Sequence, residues 1–225
     1  MAISIFEKEY FRSKSTYKKF SDTASAIRGL TNYYHGLYQL ISKYFVDDKK
    51  SITRVLEIGC GFSGLAGLFI SNGYIYTGLD VSNFIVGELK QKYPNTTFMR
   101  HDIQQPIASG HKFDLIVGME VLEHVPNTSL ALENLREVLN DGGALVVTVP
   151  NPLSKIPFTD WRKDPTHISV MGEGDWVSAF TTAGFRNVNS TTVFSVPYVW
   201  RFGKLFSRFY RINKIGASII LAGYK

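Results

Sequence analysis

Three groups of residues have types and spacings that could do chemistry. The first is Glu57-Ile58-Gly59-Cys60-Gly61-Phe62-Ser63-Gly64, with Asp80 further along. Glycines let a chain turn tightly and bring its backbone close to a ligand. If a helix opens directly after them, its N–H groups favour a carboxylate or phosphate. An acid placed like Asp80, at the end of the next apolar run, suits a carboxylate gripping two ribose hydroxyls. The second group is two histidines. His124 stands in Glu120-Val121-Leu122-Glu123-His124, and His167 in Asp164-Pro165-Thr166-His167. Histidine titrates in the range where it can take a proton from a hydroxyl nucleophile. Either could equally brace the chain around it. The i, i+3, i+4 spacing of Glu120, Glu123 and His124 predicts a shared helical face. With His167 they make a two-oxygen, two-nitrogen set able to hold a divalent ion. The spacing by itself assigns no metal. The third group is the basic, aromatic segment 197–214. Arg201, Lys204, Arg208 and Arg211 recur at helical spacing, with Leu205, Phe206, Phe209 and Ile212 on another side and Trp200 and Phe202 nearby. That pattern predicts a basic amphipathic helix, able to lie on an anionic surface or cover a cleft.

These residues need elements to position them. Apolar residues at three- and four-residue steps predict a helix over 16–46. Short apolar runs predict strands at 52–59, 74–80, 96–100, 113–119, 143–150 and 186–194, with a last one in IGASIILAGYK. Helices are expected at 64–71, 82–92, 127–139 and 173–183. Strands alternating with helices mean a mostly parallel sheet covered on both faces. The Gly-rich turn then falls between the first strand and its helix. Residues 151–171, rich in Pro, Asp and Thr, read as a loop long enough to be functional.

Composition narrows the classes. The chain has 225 residues and is 44% hydrophobic and 20% charged. That is a single folded domain over 1–225, with 1–50 as an N-terminal helical cap and 195–214 as a basic aromatic insertion. Collagen, coiled coil and wholesale disorder are excluded. One cysteine cannot form an internal disulfide. With neither a signal peptide nor a membrane span read in the sequence, a cytoplasmic setting is expected. The net charge is +6, and the surplus sits in residues 1–28 and 201–225 while the middle is slightly acidic. Basic flanks on a nearly neutral body suggest peripheral contact with an anionic surface. Nucleic acid is disfavoured, because the body is acidic and no RNA-binding module is recognised.

The nucleoside can be narrowed as well. A dinucleotide would bring its pyrophosphate to the glycine turn, where Glu57 is poorly placed. A sulfonium nucleoside carries cations instead, and acids beside the turn then help. VLEIGCG, LDVS, HDI, FDLIVGMEVLEHV and LNDGGALVVTVPN together resemble the motifs of class I S-adenosylmethionine-dependent methyltransferases. GMEVLEHV is similar to the ubiquinone-biosynthesis O-methyltransferases within them. Ser63 departs from the family pattern, which has its third glycine there. The resemblance implies an α/β, three-layer Rossmann-like fold: seven strands, mostly parallel, the last antiparallel. It implies S-adenosyl-L-methionine as cofactor. Gly59 and Gly61 would pass the methionine portion, with Glu57 orienting the amino group through the loop. Asp80 would hold the ribose and Val81 pack on the adenine. Asp102 and Ile103 would line the adenine edge, and Met119 and Glu120 lie near the sulfonium. His124 and His167 are the catalytic candidates. The expected acceptor is a small or medium-sized molecule, quinone-like, lipid-linked or sugar-containing, methylated at oxygen. An RNA methyltransferase and a dinucleotide-binding oxidoreductase are the alternatives.

Overall fold

The computed structural model describes residues 5–13, 22–44, 53–155, 164–200, 204–212 and 214–225. Five strands form the parallel part of the sheet: β1 (Arg54–Ile58), β2 (Ile75–Asp80), β3 (Thr97–Arg100), β4 (Phe113–Met119) and β5 (Leu139–Pro150). Three more follow: β6 (Arg186–Trp200), β7 (Lys204–Arg211) and β8 (Ser218–Tyr224). Their order in one sheet is β3-β2-β1-β4-β5-β8-β6-β7. β8 runs antiparallel to both β5 and β6, and β7 antiparallel to β6. The helices are α1 (Lys8–Ser13), α2 (Thr23–Tyr44), α3 (Ala66–Ser71), α4 (Asn83–Lys92), α5 (Thr128–Glu137) and α6 (Glu173–Thr182).

The sheet separates two apolar clusters. One holds Val55, Leu115, Val117 and Val146 with Ile27, Leu37 and Ile41 of α2. The other holds Leu56, Ile58, Ile116 and Leu145 with Leu132, Trp176 and Phe180 of α5 and α6. Alternate residues of each central strand thus feed opposite faces, which is why those strands read as unbroken apolar runs. Side-chain caps set the helix starts. Asp22 accepts from the Ser25 N–H at 2.7 Å before α2, and Ser82 accepts from Ile85 N–H at 3.2 Å to start α4. Asn127 does the same for Leu130 at 3.1 Å before α5.

Two sequence expectations are corrected. The sheet has eight strands, not seven. The seven expected strands are there, with β8 antiparallel to its neighbours as the last; the eighth is β7, drawn from the segment read as a basic amphipathic helix. The three- and four-residue steps of Lys204, Arg208 and Arg211 suit a helix and not the two-residue period of a strand, so their spacing is not what set this conformation. Aromatic residues favour a strand when a sheet edge offers pairing. Here β6 supplies eight cross-strand partners, from Val193↔Arg211 to Trp200↔Lys204. Tyr210 stacks on Phe194 at 5.6 Å between ring centroids, and Phe209 meets Tyr33 of α2 edge-on at 5.4 Å. The second correction is local. Leu122–His124 forms one turn of 3-10 helix, and Glu120 stands before it with φ +56°. Glu120, Glu123 and His124 therefore do not share the face of an α-helix. Residues 16–21 and 45–46 of the expected first helix, loop residues 156–163, and Arg201 and Phe202 lie outside the described residues. Among the described residues, no helix is long and apolar enough to cross a membrane.

Candidate active site

The strand order reverses between β1 and β4, so their carboxyl ends open a crevice there, where ligands of such sheets bind. The cleft at that point encloses about 920 Å³ counting its open mouth. It brings together Gly59, Gly61, Asp80, Val81, Asp102, Ile103, Met119, Glu120 and His124, nine of the residues singled out from the sequence. Glu57 and His167 are not on its wall.

Backbone geometry explains the glycine turn. Gly59 and Gly61 have φ +55° and +49°, a region open to glycine at little steric cost. A Cβ on Gly59 would stand 2.5 Å from a Val121 methyl. The third glycine of the family pattern is replaced by Ser63, which keeps the left-handed conformation at φ +42°. Its hydroxyl supplies what a glycine could not. It donates to a Glu57 Oε2 at 2.9 Å and accepts from Ala66 N–H at 3.0 Å. Glu57 is buried behind the turn, taking a second bond from the Tyr76 hydroxyl at 2.5 Å. Burial raises its carboxyl to about 7, against the lowering effect of those two hydroxyls. Its structural contact with the cleft is through Ser63 and the loop.

Asp80 braces the same turn from the other side. Its oxygens accept from the N–H groups of Gly61 at 2.8 Å and Ser82 at 2.9 Å. Burial pushes its carboxyl up to about 6, with those backbone bonds opposing. Asp102 is held by Gln104, whose backbone N–H donates to Oδ1 at 3.0 Å. The strongest surprise is the N-terminal segment. Phe6, Tyr10 and Phe11 line the cleft, although they lie far from it in sequence. The Glu7 carboxylate pins them there, accepting from Ser82 Oγ and from the N–H groups of Asn83 and Phe84 at 3.1–3.2 Å. These N–H groups belong to the start of α4, where a carboxylate is favoured. Glu7 and the aromatics Phe6, Tyr10 and Phe11, at and within the short α1, carry no spacing signal for this contact. His101 and Gln104 also reach the wall and were not singled out.

At the other end of the cleft, the loop after residue 163 is clipped to the turn after β4. Ile168 and Ser169 donate backbone N–H to the Glu123 carbonyl at 2.9 Å each. This brings the two histidine rings to 4.7 Å between centroids. The Nδ1 of His124 faces two oxygens of Thr166, its carbonyl and its hydroxyl, both at 3.0 Å. That hydroxyl donates its own proton to Asp164 at 2.6 Å. Both Thr166 oxygens therefore act as acceptors, so Nδ1 carries the proton and Nε2 the lone pair. Glu123 is fully buried beneath the rings. Glu120 reaches the cleft with its carboxyl raised by burial, against hydrogen bonds to Ser218, Thr148 and Glu123.

A parallel-centred sheet with helices on both faces, a glycine turn after β1 and a buried acid closing β2 define a Rossmann-like α/β fold. A family model for the methyltransferase domain matches residues 30–190, and the chain belongs to that family, in its S-adenosylmethionine-dependent class. The chain is 26% identical over 140 residues to an S-adenosylmethionine-dependent methyltransferase of Mycolicibacterium smegmatis, covering 62% of this chain and 54% of that protein. It is 32% identical over 102 residues to the ubiquinone biosynthesis O-methyltransferase of Coxiella burnetii, covering 44% of each. These matches span about half the length of the curated relatives. The fold is similar to magnesium protoporphyrin IX methyltransferase of Synechocystis, solved with bound S-adenosylmethionine, at a TM-score of 0.58 and 18% identity, covering 99% of this chain and 96% of that one. S-adenosylmethionine is the cofactor of this family.

Proposed function

We propose that the protein transfers the methyl group of S-adenosylmethionine to a hydroxyl oxygen of a small or medium-sized acceptor that is quinone-like, lipid-linked or sugar-containing. The observation that carries this reading is the Thr166-fixed tautomer of His124 on the cleft wall, beside Met119 and Glu120. A hydroxyl must shed a proton as it attacks, and a fixed imidazole lone pair is suited to receive it. The cofactor supplies an electrophilic methyl on a sulfonium. The new O–C bond forms as the C–S bond breaks, the electron pair stays on sulfur, and the hydroxyl proton passes to Nε2 of His124. The buried Glu123 carboxylate, 4.0 Å away, offsets the positive charge left on the ring. His167 shares that carboxylate at the same distance and is the second candidate base.

On this reading Gly59 and Gly61 let the backbone pass the methionine portion, Asp80 holds the ribose, and Asp102 with Ile103 and Val81 frame the adenine. Phe6, Tyr10 and Phe11 exclude water from the reacting end, which strengthens the electrostatic interactions inside. The resemblance to a ubiquinone-biosynthesis O-methyltransferase over the motif region supports oxygen as the acceptor atom. Arg208 and Arg211, exposed on the edge strand β7, support peripheral contact with an anionic surface.

The test is incubation of the purified protein with methyl-labelled S-adenosylmethionine and extract of its source, separated into lipid, glycan, RNA, protein and small-molecule fractions. Label is expected in the lipid, glycan or small-molecule fraction, on an ether oxygen. Label confined to RNA or protein would refute the acceptor class.

A further inference from the structure

We propose that Gln104 is a positioning residue that makes the cofactor site select adenine over hypoxanthine, its oxo counterpart, by fixing the Asp102 carboxylate as an acceptor. Gln104 lines the cleft beside Asp102 and Ile103. Its side-chain amide lies between two elements. At one end Nε2 donates to both Asp102 oxygens, at 3.2 Å each. At the other end Oε1 accepts from the backbone N–H of Asn127 at 3.0 Å, 23 residues further along the chain. Chemistry sets the direction of the amide. A backbone N–H only donates, so the end that meets Asn127 is the oxygen and the end that meets the carboxylate is the NH2 group. Reversed, the amide would set N–H against N–H and oxygen against carboxylate.

These bonds load the two carboxylate oxygens unequally. Oδ1 accepts from the Gln104 backbone N–H at 3.0 Å as well as from Nε2. Among the described residues, Oδ2 accepts only the longer Nε2 bond. A carboxylate oxygen has two lone-pair sites, so Oδ2 can take a further donor. Asp102 is half-buried on the cleft wall, where a donor on a bound ligand can reach it. The exocyclic amino group of adenine is such a donor. A purine with a carbonyl at that place sets a second acceptor against the carboxylate. It loses the hydrogen bond and leaves two acceptors facing each other.

A second side chain anchors the same loop in a different way. Asn134 of α5 donates to the Ile103 carbonyl at 3.0 Å, which ties the loop to the helix through its backbone. Gln104 ties the loop to the start of that helix, where Asn127 is the cap, and holds the carboxylate as well. Val125 and Pro126, just before Asn127, belong to the cleft wall. One amide therefore joins the acid at the base edge to the opposite wall, and the acid cannot turn away without breaking the bond to Asn127. The role of Gln104 rests on the reading of Asp102 as the adenine-edge acid.

The experiment measures, by calorimetry on the full chain, dissociation constants for S-adenosylhomocysteine and for S-inosylhomocysteine, which carries the oxo purine. Wild type should prefer the adenine form by roughly 10- to 100-fold, the scale of a hydrogen bond to a charged group. Gln104→Met removes both ends of the amide. Gln104→Glu keeps the acceptor for Asn127 and turns an oxygen toward Asp102. Each should cut the preference by about fivefold or more. Asn134→Leu loosens the loop alone, so it should weaken both ligands alike and keep their ratio. Circular dichroism reports whether each variant is folded. A ratio unchanged in either folded Gln104 variant overturns the proposal, as does a ratio lost equally in Asn134→Leu. Asp102→Ala separates the proposal from the reading beneath it. A ratio unchanged in Asp102→Ala, or a wild type without preference, removes Asp102 from the adenine edge and Gln104 with it. A ratio abolished in Asp102→Ala and kept in the Gln104 variants leaves Asp102 in place and overturns the role of Gln104 alone.

Discussion

Two buried carboxylates near the glycine turn carry opposite burdens, and each makes a separate prediction. Asp80 is raised to about 6 by burial, yet its oxygens are held by backbone N–H groups as an acceptor would be. Cofactor affinity should therefore fall as pH drops through about 6, and Asp80→Ala should lose roughly 10- to 100-fold in affinity, the scale of lost charge-assisted hydrogen bonds. Calorimetric titration with S-adenosylhomocysteine checks both. Glu57 is raised to about 7. A carboxyl whose folded pKa exceeds its unfolded value binds more protons when folded, so it lowers stability as pH rises from about 4.5 to about 7. Glu57→Gln keeps an acceptor for Ser63 and Tyr76 and removes the charge. Relative to wild type it should gain up to about 3 kcal/mol between pH 5 and pH 8, read from urea midpoints at the two pH values. An unchanged difference would mean that Glu57 is not the group that resists ionisation. At the acceptor end, His124→Ala and His167→Ala should each cut turnover more than cofactor affinity, by about 10²- to 10⁴-fold for a lost base. Full turnover in both would remove the histidines from the chemistry.

Two segments without regular long structure do the positioning that strands alone cannot. The N-terminal segment reaches the cleft because Glu7 satisfies the first N–H groups of α4. Glu7→Ala leaves those groups to water and frees Phe6, Tyr10 and Phe11. A stability loss of about 1 kcal/mol is expected, with cofactor affinity falling several-fold as the aromatic wall loosens. A wild-type dissociation constant in Glu7→Ala would show that the wall is not needed for binding. The segment 164–169 acts in the same way at the other end. Its backbone clip to Glu123 sets the distance between the histidines, and Thr166 sets the tautomer of His124. The strand β7 shows the complementary lesson. Its residues have no strong local preference, and the free edge of β6 decided their conformation.

Over the whole molecule, the sheet order 3-2-1-4-5 forces the glycine turn, the acid closing β2, the acid following β3, and the Met119-Glu120 end of β4 onto one rim. A ligand filling that rim binds only the folded state. Saturation at 100 times its dissociation constant should add about 2.7 kcal/mol. For a chain of 225 residues, that raises the melting temperature by roughly 5–10 °C. S-adenosylhomocysteine should produce this shift and NAD should not, measured by thermal unfolding at matched concentrations.

The sequence by itself determined the alternation of strands and helices, the place of the glycine turn, and the acids that accompany it. These are local: apolar runs, turn residues and the chemistry of a nucleoside site are written within short stretches. Asp80 could be singled out because it closes a strand, whereas Asp102 and Met119 were legible only through the resemblance of their motifs to the family's. Only the tertiary structure decided that Glu57 stands behind the turn, held to Ser63, since both neighbours of its carboxyl come from packing. Only it decided that Phe6 and Tyr10 wall the cleft, that His167 crosses to His124, and that 204–211 is an edge strand. The cleft wall and the histidine pair join residues far apart in the chain, while the Glu57–Ser63 and β6–β7 contacts are near in sequence and depend on what packs around them. Their stability comes from burial and from backbone groups that need partners, and neither leaves a period in the sequence.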